Sequence, residues 1–269
     1  MRNLIFVPLF FMLACVGNST DRSSQTSSAD STPVDTLSYV YRSFTKSSQY
    51  LVEKDSVVDS TNFKITYPEF SDSSINNLIK SAILIEGENN FQDAAQTFID
   101  GYDEFIEEET TQQVRMPWFK HIQTSVSLNT PKLFALTTMY QQYTGGAHGN
   151  TVVIWSNFDV SQKQKIKLSN IISADKLPEL TKKAEQRFRK MENLSDNAPL
   201  DKDFFFENGI FALNDNFGLT KDELLFYYNE YEIKPYSEGP SIIRLPYTEL
   251  TDILSTQGKE YVDDIKKGY

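Results

Sequence analysis

Two stretches of the chain hold the residues best suited to chemistry or contact. Tyr143-Thr144-Gly145-Gly146-Ala147-His148-Gly149-Asn150 sets paired glycines beside one of only two histidines, between β-rich runs. Glycines can expose backbone amides to an oxyanion, and histidine titrates near neutrality, so hydrolysis with His148 as acid or base is one chemistry available here. It would also need a nucleophile with a base in reach, and no Gly-x-Ser-x-Gly occurs. The alternative is conformational: Gly145 and Gly146 take positive φ in a tight connection and His148 packs locally. The second stretch runs from Tyr231 to Pro240. Tyr231, Pro235 and Tyr236 are rigid and amphipathic, and give contact area at low entropic cost when exposed. Gly239 and Pro240 restrict the chain that follows. Either this loop is presented to a ligand, or its tyrosines anchor it in the core. The candidate binding set is Tyr143, Gly145, Gly146, His148, Tyr231, Pro235, Tyr236 and Gly239. No catalytic set is assigned.

Metal binding has little support. His121 and His148 are far apart and lack His-x-x-x-His or cysteine spacing. No EF-hand pattern appears, and with 37 acidic residues a carboxylate pair means nothing by itself. No metal and no cofactor is expected.

The elements that must position these residues follow from periodicity. Leu37 to Phe44 and Asn62 to Tyr67 alternate as strands, and Pro68 should end the second. Ser71 to Ser74 supply N-cap oxygens for a helix to about Ile85, with Ile75, Leu78, Ile79 and Ala82 on one face. A helix over about Phe91 to Glu108 buries Phe91, Ala95, Phe98, Tyr102 and Phe105. Acids from Asp103 to Glu109 crowd its C-terminal end, where the helix dipole disfavours them. They form a solvated face, or a docking surface for a basic protein. Trp118 to Leu128, Lys132 to Tyr143 and Thr151 to Val160 read as a meander whose second connection is the glycine segment. A helix over Asp175 to Met191 has Leu177, Leu180, Ala184, Phe188 and Met191 as its stripe. Asn216 to Leu219 and Glu223 to Tyr228 form a hairpin, and Ser241 to Leu245 is the last strand. Tyr247 to Leu254 and Lys259 to Lys267 are short helices. The fold class is α+β, a mostly antiparallel sheet packed with helices, in two small subdomains over 37–112 and 113–269.

The start of the chain reads as an address. Leu4 to Leu13 is an apolar run of about ten residues, too short for a bilayer span of about 20. Met12-Leu13-Ala14-Cys15 resembles a lipobox, and Cys15 is the only cysteine, so residues 1–15 are expected to be a lipoprotein signal with a lipidated Cys15. Residues 16–36 form a disordered tether, because ten of the 21 are Ser or Thr and few are apolar. Val16 after the cysteine favours the outer membrane, with the periplasmic and outer faces both open. The net charge of −11 argues against nucleic acid and suits a cationic partner or plain solubility.

The body resembles a pair of bacterial extracytoplasmic domains of unknown function. The N-terminal marks are Ile65-Thr66-Tyr67-Pro68 and the helix Ala94 to Tyr102. The C-terminal marks are more specific: Tyr143 to His148, Ile166 to Ile172, Phe217-Gly218-Leu219, Leu225 to Tyr228, and Tyr231 to Pro240. The same pair occurs in the outer part of the RsiV anti-sigma regulator, which binds lysozyme, and in the accessory part of the peptidoglycan deacetylase PdaC. The resemblance implies a lipid-anchored envelope binding module that is not an enzyme. Its implied partners are a lysozyme-like cationic protein or peptidoglycan, besides the membrane reached through Cys15. The alternative is a hydrolase of wall sugars or peptides using His148.

Overall fold

The computed structural model describes residues 36–54, 56–108 and 116–268. The expected leader with Cys15, residues 16–35 of the expected tether, and Glu109 of the acidic run lie outside them. The chain opens with a long antiparallel pair, β1 (Tyr39–Lys54) and β2 (Val57–Phe70). Helices α1 (Ser73–Ile83) and α2 (Phe91–Glu108) follow. Then come β3 (Phe119–Asn129), β4 (Leu133–Tyr143), β5 (Asn150–Asp159) and the short β6 (Gln164–Lys165). These six strands form one sheet in sequence order. Only β2 and β3 are parallel, and α1 and α2 supply the crossover that a parallel pair requires. Strands on both sides of residue 112 thus share this sheet.

Alternation divides the sheet cleanly. Phe63, Ile65, Ile122, Phe134, Leu136 and Phe158 point to one face and are buried beneath α1 and α2. Asp72 caps α1 by accepting from the Ser74 amide at 2.8 Å, and Ile75, Ile79 and Ile83 repeat every fourth residue on its buried side. In α2 the buried stripe runs through Ala95, Ile99, Tyr102 and Ile106. The expected Phe98 and Phe105 instead flank it, both ring-packed on Trp118. Two acids at the end of α2 are engaged by β1: the hydroxyls of Ser48 and Tyr50 donate to Asp103 and Glu107.

Pro68 does not end β2, which continues to Phe70. Pairing with β3 stops at Thr66, so beyond it only β1 flanks the strand, and a missing amide is tolerated there.

The second core belongs to the C-terminal part. After α3 (Leu168–Ile171) and α4 (Leu177–Met191), a three-stranded antiparallel sheet forms from β7 (Phe217–Leu219), β8 (Glu223–Tyr228) and β9 (Ser241–Pro246). Leu180, Ala184 and Phe188 of α4 bury against Phe204, Phe206 and Phe211. Met191, expected in that stripe, is exposed because α4 ends there and the chain turns at Asn193, whose φ is 54°. The helix expected over Tyr247 to Leu254 is a single 3-10 turn over Tyr247–Glu249. The last helix, α5 (Thr256–Lys266), is capped by Ser255. The architecture is α+β with two sheets, each backed by its own core. Among the described residues no helix is long and apolar enough to cross a membrane.

Candidate functional site

The two stretches singled out in the sequence meet in space. The β4–β5 connection follows the last cross-strand pair, Gln142 with Asn150. Gly145 and Gly146 have φ of 102° and 93°, and an added Cβ at either would meet no atom within 4 Å. Glycine is needed there for its backbone freedom and not for lack of room. The Tyr143 hydroxyl donates to the Gly146 carbonyl at 3.1 Å and braces the turn.

His148 is exposed. Its Nδ1 lies 2.8 Å from the Gly149 carbonyl, which can only accept. That bond requires a proton on Nδ1. The Tyr231 hydroxyl lies 3.5 Å from Nε2. Among the described residues no carboxylate hydrogen-bonds His148.

The β8–β9 loop brings two more rings. His148 stacks on Tyr236 at a centroid distance of 4.0 Å and 13° between planes. Tyr231 lies over Tyr236 at 5.5 Å and 27°. Tyr236 is half-buried, whereas Tyr231 is 55% exposed. The three rings form a small aromatic platform.

Other groups hold this platform in place. Glu232 N donates to Asn229 O at 3.1 Å, closing a tight turn with Tyr231 third in it. Tyr231 has φ of 65°, a conformation that usually selects glycine or asparagine at that position. Behind the turn, Ile233 is buried and accepts from the Phe205 amide at 3.0 Å. The buried Lys234 ammonium reaches Glu192 at 2.9 Å. Pro235 is half-buried, and Gly239, at φ 68° and ψ −170°, leads into β9. Residues Ile233 and Lys234, not the tyrosines, are the inward anchors.

Asparagines join the loop to the sheet. The Val153 amide donates to Asn229 Oδ1 at 2.7 Å, and Asn229 Nδ2 donates to the Val153 carbonyl at 3.1 Å. Asn216 repeats the arrangement: its Oδ1 accepts from the Trp155 amide, and its Nδ2 donates to Val153 O, both at 2.8 Å. These side chains saturate β5 backbone groups beside the second sheet and fix where Tyr231 begins. Sequence reasoning missed Asn216, Asn229, Ile233 and Lys234. An asparagine before a turn is a local signal, but its partner lies 76 residues away.

His121, the other histidine, stands apart in β3, with Nε2 2.7 Å from Asn62 Oδ1. Burial, and then the charge of Lys64, hold its pKa below the usual value. Among the described residues no three histidine, cysteine, aspartate or glutamate side chains are arranged to hold a metal ion.

Comparison with known proteins adds the family. A model described as "Deacetylase PdaC" matches residues 54–151, and one described as "Protein of unknown function (DUF3298)" matches residues 169–248. A solved DUF3298 family member from Bacteroides fragilis is 21% identical with a TM-score of 0.65, covering 86% of this chain and 98% of its own. A second, from Pseudomonas aeruginosa, is 18% identical with a TM-score of 0.64, covering 83% and 97%. At these identities the likeness speaks to the fold. No curated protein matches. The expectation of a non-enzyme is corrected by the first match, because the family it meets is described as a deacetylase. With residues 54–151 matched by one model and 169–248 by the other, the chain carries the PdaC–DUF3298 domain pair.

Proposed function

We propose that this chain is a lipid-anchored envelope module that grips N-acetylated wall glycan through the rings of His148, Tyr236 and Tyr231. The observation that carries this reading is the stack itself: three exposed or half-exposed rings on a backbone held by other residues. The face of a pyranose ring presents C–H bonds of slight positive polarity, and an aromatic face presents negative charge density, so the two pack well. One acid of the same loop is turned inward: Glu232 accepts from Asn214 and from the Asn229 amide.

The net charge of −11 favours a second ligand, a lysozyme-like basic protein. The match to a deacetylase family favours a second role at the same place, hydrolysis of acetyl groups on the bound sugar with His148 Nε2 as acid or base. One set of titrations separates these. The full chain is titrated with N-acetylglucosamine oligomers and with lysozyme at two salt concentrations, and acetate release is followed. Tyr236→Ala should weaken sugar binding about tenfold or more, because it removes the central ring. Unchanged sugar affinity in that variant would refute the platform. Salt-sensitive lysozyme binding would favour the protein ligand, since screening acts on charges. Acetate release lost in His148→Ala would establish the hydrolytic role. The same preparation tests the anchor: Cys15→Ser should move the chain out of the membrane fraction, and an unchanged distribution would refute lipidation at Cys15.

A further inference from the structure

The six-stranded sheet has a second face, opposite α1 and α2. Its outward positions alternate along β1 (43–47), β2 (62–66), β3 (119–125) and β4 (137–143). Two features set this face apart. Over these stretches Lys64 is, besides histidine, the only charged side chain, in a chain of net charge −11. Most of the other positions carry a hydroxyl or a carboxamide, among them Ser43, Thr45, Asn62, Thr66, Gln123 and Gln141. Ser43, Thr45 and Gln123 are exposed, and the rest of these six are half-buried.

Rings cross the same face. His121 packs on Phe119 at 5.0 Å, and Phe119 stacks with Tyr143 at 6.1 Å and 25°. Tyr143 then bonds to Gly146, two residues before His148. The β4–β5 connection thus links the sheet rings to the loop platform at one end of the sheet. His121 titrates below its usual range through burial and Lys64, so it is neutral at neutral pH and adds no charge.

A protein partner of opposite charge would find little to hold here. A neutral polysaccharide would find ring faces for its C–H surfaces and hydroxyls and amides for its own hydroxyl and acetamido groups. We propose that the outward face of β1–β4 is a second contact zone for a neutral N-acetylated glycan, which runs from Tyr236 past Tyr143 onto Phe119 and His121. This rests on the glycan reading of the loop platform and extends it: the ligand is a polymer, not a single sugar unit.

The test is calorimetric titration of the full chain with the disaccharide and the hexasaccharide of N-acetylglucosamine. The hexasaccharide should bind about tenfold tighter, the equivalent of about 1.4 kcal/mol. Phe119→Ala should abolish that gain and leave the disaccharide unaffected. Gln123→Glu places a charge on an exposed position without emptying any core, so it keeps the test valid should Phe119→Ala fold poorly. A gain that comes only from overlapping binding registers would persist in Gln123→Glu and would overturn the proposal, as would equal affinities in the parent chain. Either result leaves the loop platform standing. Hexasaccharide binding that survives Tyr236→Ala but is lost in Gln123→Glu would refute the loop platform and, with it, the run from Tyr236 that the proposal requires. No binding of either sugar overturns both. A concentration-dependent dimer abolished by Gln123→Glu would assign the face to a second copy of this chain and overturn the proposal.

Discussion

Replacing Tyr231 in turn with alanine and with glycine separates the cost of its backbone from the worth of its ring. At φ 65° an L-residue places its Cβ against the neighbouring carbonyl, at a cost of roughly 1–2 kcal/mol. Glycine escapes that clash but loses about 0.5–1 kcal/mol more than alanine in unfolded-chain entropy. The difference leaves Tyr231→Gly more stable than Tyr231→Ala by roughly 0.5–1 kcal/mol, the reverse of the usual order. Both variants lose the contact with Tyr236, worth about 0.5–1 kcal/mol for a ring this exposed. Tyr231→Gly should therefore unfold near the parent, and Tyr231→Ala about 1 kcal/mol below it. Urea titration reads the difference directly, and in a chain of this size each kcal/mol moves the thermal midpoint by about 2–4 °C. Both variants should lose affinity for the hexasaccharide to a similar degree. If alanine equals or exceeds glycine in stability, the strain argument is wrong. If glycine keeps the parent's sugar affinity, the ring is not part of the contact.

Two further outcomes follow from the seam and from the end of β5. Asn216→Asp keeps the shape but removes the amide donor to Val153 O at 2.8 Å and to Tyr227 O at 3.0 Å, so it should cost about 2–4 kcal/mol in a urea titration; a change under about 0.5 kcal/mol would show that water replaces it. Burial tends to raise the pKa of Asp159, but hydrogen bonds from Tyr261, Gln162 and Ser161 outweigh it and leave the carboxyl below its ordinary 3.8. Its stabilisation is thus present above that pH and lost as pH falls through the folded value. Asp159→Asn should be less stable than the parent at pH 7 with the gap closing in acid, and a gap constant with pH would refute the assignment.

Local pattern carried much of the fold. Phe91 to Glu108 could be read as a helix because its apolar residues recur every three or four positions, and α2 has those bounds. The β7–β8 hairpin was legible as two short runs, Asn216 to Leu219 and Glu223 to Tyr228. Pro68 misled because strand-ending depends on which neighbours flank the strand, and no local pattern encodes that. Met191 and Phe105 keep the helical spacing yet lie at the margin of their stripes, where tertiary packing decides. The glycine pair and the Tyr231 loop could be picked out as unusual. Their meeting depends on Asn216 and Asn229 bonding to β5 some 61 to 76 residues away, and such side-chain bonds leave no periodicity.

The mounting of the rings bears on what they are for. Ile233, the Lys234–Glu192 pair and Asn229 hold the loop from behind, so none of the three rings is needed to close a core. Tyr231 nonetheless sits in a strained backbone and remains mostly exposed. Strain kept at an exposed aromatic, where glycine would relieve it, fits the proposed contact surface better than packing. Glu232 of the loop is held internally, and the central stretch of the neighbouring sheet face carries one fixed charge. Binding by such a surface draws on ring faces and hydroxyls, neither of which salt screens. Sugar affinity that stays level from low to high salt is therefore the expected behaviour of this surface. A steep fall would mean that the ligand meets the acidic parts of the chain instead.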